Sequence, residues 1–192
     1  MKLDFGTYHH ASKEESEGLR GELRDVFSSL LPTLFPPDLK INVLDAGCGL
    51  GFLSSIVGRV FRYSSVTGID TFQDGSLAGS SIERAERNMK LLGLDDRVKF
   101  FKHNLVYPLP ADWNFDLIIS NLVFHNMGKK RFDGYRNVFA ALKSNGYFVV
   151  GDLFPYNSSD DRFFRSLSRT EKEIMGKGSG RWQYRIKVLR KI

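Results

Sequence analysis

Five residues between positions 45 and 70 most directly suggest chemistry: Asp45, Gly47, Gly49, Gly51 and Asp70. Asp45 closes the short apolar run Ile41-Asn-Val-Leu44, and the three glycines follow where a side chain would keep the backbone from turning sharply or approaching a ligand closely. Phe52, Leu53, Ile56, Val57, Val60 and Phe61 then recur at helical spacing, so the turn delivers the chain into a helix whose free N–H groups point back at it. Strand, glycine turn and helix form a nucleotide-binding opening. A dinucleotide's pyrophosphate would call for the third glycine at position 52 and no anion nearby. Phe52 stands there, and Asp45 sets a carboxylate beside the turn, which suits a cationic ligand. Asp70 ends the next apolar run, Val66-Thr-Gly-Ile69, and a carboxylate at that place can accept both ribose hydroxyls of an adenosine. An ordinary strand-end turn carboxylate remains the alternative reading.

The spacing Asp-x-Gly-x-Gly-x-Gly resembles motif I of the class I S-adenosylmethionine-dependent methyltransferases, and Phe115-Asp-Leu-Ile-Ile-Ser-Asn121 resembles the family's motif IV. The resemblance runs from Leu19 to Val150. It implies S-adenosylmethionine as cofactor, with Asp45, Gly47, Gly49 and Gly51 at the end carrying ammonium and sulfonium, and Asp70 and Thr71 at the ribose. It puts Asn104 and Leu105 beside the adenine and Asn121 near the methyl group. Asn104 stands where the family commonly has aspartate; an amide oxygen can still accept from the adenine amino group, and a turn asparagine is the alternative. The end of the fourth strand faces the methyl group in the family, so Phe124, His125 and Asn126 are expected around the acceptor. Tyr8, His9 and His10 would join them from an amino-terminal arm in the position of a flap. The Asn-Pro-Pro-aromatic signature of many amino-directed enzymes is missing, since Leu122-Val123 replaces the prolines. His125 is the candidate general base, needed only if the acceptor is protonated at neutral pH, as a hydroxyl is. A histidine merely packed at a strand end is the bland alternative.

The elements that would position these residues alternate. Ser12-Lys-Glu-Glu15 has capping-box form ahead of the stripe Leu19, Leu23, Val26, Phe27 and Leu30. Ile82, Ala85, Met89 and Leu92 form another helix closed by Gly93, and Phe132, Tyr135, Val138, Phe139 and Leu142 a third. With strands ending near Asp45, Asp70, Phe101, Asn121 and Val150, the expected fold is α/β. It is a doubly wound, mostly parallel sheet in the order 3-2-1-4-5, with helices on both faces and an antiparallel carboxy-terminal strand over Trp182–Leu189. That last strand alternates Trp182, Tyr184, Ile186 and Val188 with Gln183, Arg185 and Lys187, as if half exposed. The segment after Gly176 leaves room for one long strand or a very short pair. Thr71–Ser81 is longer than the family's usual passage and, with the arm at 5–10, is expected to act as a lid.

At 192 residues and 42% hydrophobic composition the chain suits a single domain: arm and helix over 1–40, cofactor-binding core over 41–150, basic helix and strand over 151–192. Cys48, the one cysteine, excludes an internal disulfide and reads as small filler. No apolar stretch approaches the roughly 18 residues of a membrane span, and the expectation is a cytoplasmic protein with no metal site. The net charge of +6 lies entirely in residues 160–192. A nucleic-acid acceptor gripped by that segment is therefore an alternative to a small-molecule acceptor, and a non-catalytic cofactor-binding module is another. A nicotinamide-dependent oxidoreductase is opposed by Phe52 and Asp45.

Overall fold

A computed structural model describes all residues except Met1, His10, Asp74, Ser76, Asn157 and Ser158, and the side chain of Ser179. Among the described residues seven strands, β1 (Asn42–Ala46), β2 (Ser65–Asp70), β3 (Val98–Lys102), β4 (Phe115–Asn121), β5 (Leu142–Pro155), β6 (Ser168–Ser179) and β7 (Trp182–Lys191), run in the order β3-β2-β1-β4-β5-β7-β6, with β1, β2 and β3 parallel, β4 and β5 parallel, and β6 and β7 antiparallel. Contacts group the chain into two compact units, residues 1–104 and 105–192.

In the first unit, β1 (Asn42–Ala46), β2 (Ser65–Asp70) and β3 (Val98–Lys102) pair in parallel register. Helix α1 (Lys13–Leu30) opens on the expected capping box: Ser12 accepts from the Glu15 amide, and Glu15 returns the bond to the Ser12 amide. Its buried stripe carries Leu23, Phe27 and Leu30. Helix α2 (Phe52–Val60) follows the glycine turn, and α3 (Ile82–Leu92) runs from a Ser81 cap to Gly93, whose φ of 65° ends it in the left-handed conformation.

In the second unit β4 (Phe115–Asn121) pairs in parallel with β5 (Leu142–Pro155), and α4 (Arg131–Ala141) connects them. An aromatic cluster forms the core. Tyr135 lies 4.4 Å from Phe124 and 4.7 Å from Phe164 between ring centroids, and Phe148 touches Phe139 edge-on at 5.6 Å. Helix α5 (Ser159–Arg165) supplies Phe163 and Phe164 to this cluster. Asp160 at its start is gripped by Arg131 Nε (2.7 Å), Arg131 Nη2 (3.0 Å) and the Tyr135 hydroxyl (3.0 Å).

The carboxy-terminal segment corrects the expectation of one strand. A full hairpin is present, β6 (Ser168–Ser179) against β7 (Trp182–Lys191), with β7 beside β5. The extra strand begins before the glycines, in the polar stretch Arg169–Lys172, because an edge strand has a partner on one side only and needs no apolar alternation. The half-exposed reading of β7 is corrected too. Arg185 and Lys187 are buried, bridging to Asp161 and Glu173 and lying over the Phe154 ring.

Candidate active site

Asp45 ends β1 at 1% exposure. Its Oδ2 accepts the Ser54 amide at 2.9 Å and the Ser54 hydroxyl at 2.6 Å, so the strand-end carboxylate caps a helix whose own N-cap, Gly51, has no side chain to do so. Burial pushes the carboxyl pKa up to about 7, against the opposing effect of the Ser54 bonds. A cation brought to Oδ1 would reverse that shift.

The three turn glycines hold φ values of 79°, 50° and 82° at 47, 49 and 51. Their positive φ values favour glycine; a Cβ at Gly51 would also lie 2.9 Å from Phe100 Cζ, and one at Gly49 would push on the Leu77 side chain at 2.9 Å. Asp70 ties the second strand end to this turn, with Oδ2 accepting the Gly49 amide at 2.9 Å and Oδ1 the Phe72 amide at 2.8 Å. Thr71 is half-buried beside it, and Asn104 is exposed just beyond β3.

The arm meets this turn. Tyr8 forms an antiparallel bridge with Leu77, whose side chain sits against both Gly6 and Gly49. Phe5, expected as a lid aromatic, is instead core: it is 9% exposed and meets Phe52 edge-on at 5.5 Å. Asn88 receives the Asp4 amide and donates to the carbonyls of Asp4 and Leu50, which anchors the arm's base. His9 is exposed, and His10 lies outside the described residues.

Beneath the arm is a residue that sequence reasoning missed. Arg20 on α1 is fully buried; Nη2 donates to the carbonyls of Phe5 (2.9 Å) and Gly6 (2.5 Å), and the guanidinium lies 4.8 Å from the Tyr8 ring centre. Among the described residues, its Nε and Nη1 have no hydrogen-bond partner, the Glu17 carboxylate standing 3.5 Å from Nη1. Such orphaned donors are costly to bury. The Tyr8 phenol is itself held above its ordinary pKa by burial, with Arg20 pulling the other way.

In the second unit, Asn121 ends β4 and its Oδ1 accepts from the Tyr184 hydroxyl of β7 at 2.5 Å. Gly151 leaves room for the pair, since a Cβ there would be 2.7 Å from that oxygen. Leu122 follows with φ 58°, a conformation closed to proline, so the missing Pro-Pro reflects a different turn at this strand end. Leu105 is buried, and its carbonyl accepts from Asn137 at 2.8 Å.

Phe124 is not a pocket wall: its ring is fully buried in the aromatic cluster. Its amide donates at 2.7 Å to Oδ2 of Asp152, a buried carboxylate on β5. Asp152 Oδ1 accepts the Leu153 amide at 2.8 Å and meets His125 Nδ1 at 2.5 Å. With the carboxylate as acceptor, Nδ1 is the donor of this bond, and a neutral imidazole held so has its lone pair on Nε2. His125 lines a cavity of about 380 Å³ together with Leu153, Lys177, Gly178 and Trp182. Asn126, expected in the acceptor pocket, is exposed beside that stretch.

A family model described as a methyltransferase domain matches residues 37–186. The chain belongs to this methyltransferase family. Its fold is the class I, Rossmann-like methyltransferase fold. Among curated relatives, a ribosomal RNA small subunit methyltransferase C of Enterobacter sp. (strain 638) is 30% identical over 146 residues, covering 73% of this chain and 40% of that protein. A fatty-acid O-methyltransferase of Mycolicibacterium smegmatis is 32% identical over 115 residues, 59% of this chain and 38% of that protein. The chain therefore spans well under half the length of either relative. Among solved structures, a geranyl diphosphate C-methyltransferase from Streptomyces coelicolor A3(2) superposes with a TM-score of 0.72 at 14% identity, covering 100% of this chain and 91% of that one. That likeness shows the methyltransferase fold. Among the described residues, no helix is long and apolar enough to cross a membrane.

Two residues carry signals that could have been read. Asp152 follows Val149-Val150-Gly151 as Asp45 and Asp70 follow their strands, and Tyr184 faces inward on the apolar side of β7.

Proposed function

We propose that this methyltransferase moves the methyl group of S-adenosylmethionine onto a hydroxyl of a small molecule, with His125 as general base and Asp152 as its positioning partner. The observation that carries the reading is the 2.5 Å contact between His125 Nδ1 and the buried Asp152 carboxylate, with His125 on the cavity wall. A sulfonium cofactor supplies an electrophilic methyl group, and the acceptor oxygen must reach it from the side opposite sulfur. The chain's own task is to align that oxygen and remove its proton. Nε2 is the atom left to accept it, while Asp152 holds the ring and balances the imidazolium that forms.

The first unit supports the cofactor assignment on its own terms. A glycine cradle at positive φ, a buried carboxylate and a buried guanidinium with orphaned donors match a ligand that carries an ammonium, a carboxylate and an adenosine. Asp45 would take the ammonium, Arg20 the carboxylate once the arm moves, and Asp70 the ribose through lone pairs its backbone bonds leave over. Asn104 and Thr71 would border the adenosine.

The test is turnover of the purified chain with S-adenosylmethionine and a panel of phenols and hydroxy acids, read as S-adenosylhomocysteine and methyl ether. His125→Asn and Asp152→Asn should each lower kcat by about 10²- to 10⁴-fold with cofactor affinity retained. Unchanged kcat in both variants would remove the base from the reading.

A further inference from the structure

We infer that the acceptor is a flat hydroxy compound carrying an anionic group, which Lys177 and Trp182 of the β6–β7 hairpin recognise opposite His125. The inference rests on the reading above and names the acceptor class at that same site. Three of the described lining residues offer three different chemistries. His125 presents Nε2, a proton acceptor. Lys177 presents an ammonium that forms no ion pair among the described residues. Trp182 presents an indole left 44% exposed, an uncommon state for a large ring at the mouth of a cavity. Leu153 and the bare backbone of Gly178 complete the wall.

The size limits the guest. About 380 Å³ lies near the lower end of small-molecule pockets, roughly 300–1,000 Å³. The guest must fill a mostly apolar slot, so its body is apolar and flat enough to lie along the indole. One end faces the exposed Lys177 ammonium on the cavity wall, which a carboxylate, phosphate or sulfate can meet with a charge-assisted hydrogen bond. The other end must give up a proton to Nε2. In the transfer the oxygen–carbon bond forms as the carbon–sulfur bond breaks, and the hydroxyl proton goes to His125 and from there to water.

The hairpin is shaped for this. Gly178 pairs with Gln183 across the hairpin, and a Cβ on it would come within 2.7 Å of the Tyr156 hydroxyl. Tyr156, itself 56% exposed, therefore sets its hydroxyl against the glycine beside the cavity. Four other basic residues of the segment are engaged elsewhere. Arg169 pairs with Glu171, Arg185 and Lys187 pair with Asp161 and Glu173, and Lys191 donates to the carbonyls of Phe139 and Leu142. Lys177 is the basic residue of the segment that faces the cavity.

The experiment uses the full chain with Trp113→Phe, which leaves Trp182 as the single tryptophan emitter. The probes are 4-hydroxycinnamate and its neutral, equally shaped amide, titrated by Trp182 fluorescence in the presence of S-adenosylhomocysteine. The acid should bind at least tenfold more tightly than the amide. Lys177→Met should abolish that preference, and Lys177→Arg should keep it, with cofactor affinity unchanged in both. Equal binding of acid and amide, no binding of either, or a preference that survives Lys177→Met would overturn the inference. Methylation of neutral phenols in that case would leave the hydroxyl-directed reading standing. Tight, Lys177-dependent binding of the acid without methyl transfer to any hydroxyl would instead overturn that reading and leave the anion site.

Discussion

Asp70 and Asp45 are both strand-end carboxylates, yet the structure gives them different work. Asp70 fastens the glycine turn by accepting the Gly49 and Phe72 amides and, on the proposed reading, a ribose as well. Asp70→Ala should weaken S-adenosylmethionine binding by about 1–3 kcal/mol in calorimetry, the range for losing a charged hydrogen-bond partner. Asp45 gives a pH test. Burial raises its pKa to about 7, so the folded chain keeps a proton there that the unfolded chain has already lost. The stability tied to that proton is complete below the ordinary carboxylate range and is lost as pH rises toward about 7. Asp45→Asn should therefore show a smaller fall in Tm between pH 5 and pH 8 than the parent. Wild-type affinity for a ligand ammonium should rise over the upper part of that window, as the carboxyl ionises, and calorimetry at pH 6 and pH 8 reads both proteins. These carboxylates were legible because glycine spacing and strand ends are local. Arg20 was not: one polar residue beside Leu19 reads as the outer face of a helix, and only the arm folded over it buries it. His125 was legible, whereas its partner lies 27 residues away on another strand.

At the scale of elements, the arm at 5–10 and the loop at 71–81 were expected to move together as a lid. They meet through the Tyr8–Leu77 bridge, but the base of the arm is packed by Phe5 and held by Asn88 and Arg84. Deleting residues 1–10 should consequently lower Tm by several degrees as well as turnover, because it strips Phe52 of a packed ring and leaves Arg20 without carbonyls. A deletion that lowers turnover alone would restore the simple flap. The loop remains the lid candidate. Hydrogen exchange with and without S-adenosylhomocysteine should show added protection over 71–81, and no change there would make it an ordinary surface loop. The capping box, the glycine stop after α3 and the five strands β1 to β5 were readable from local pattern. The hairpin's first strand was not, since β6 is polar, contains glycines and relies on β7 for its order.

Across the whole molecule, part of the basic charge over residues 160–192 is paired inside the second unit, where buried Arg185 and Lys187 face Asp161 and Glu173, but ten basic against four acidic residues still leave that segment at +6. Sequence showed where the charge lay along the chain but not which side chains would pair. The same unit depends on its aromatic cluster: Phe164→Ala should cost about 3–5 kcal/mol in denaturant unfolding, for a fully buried ring in contact with Tyr135, Phe148 and Phe154. The measurement that bears most directly on the central claim is turnover as S-adenosylhomocysteine, at saturating S-adenosylmethionine, with hydroxyl acceptors, for the wild type, His125→Asn and Asp152→Asn. The account predicts methyl ether from the wild type, kcat reduced by about 10²- to 10⁴-fold in both variants, and the same cofactor affinity in all three. Full turnover in His125→Asn, or a wild type that binds the cofactor and methylates no hydroxyl, would contradict it.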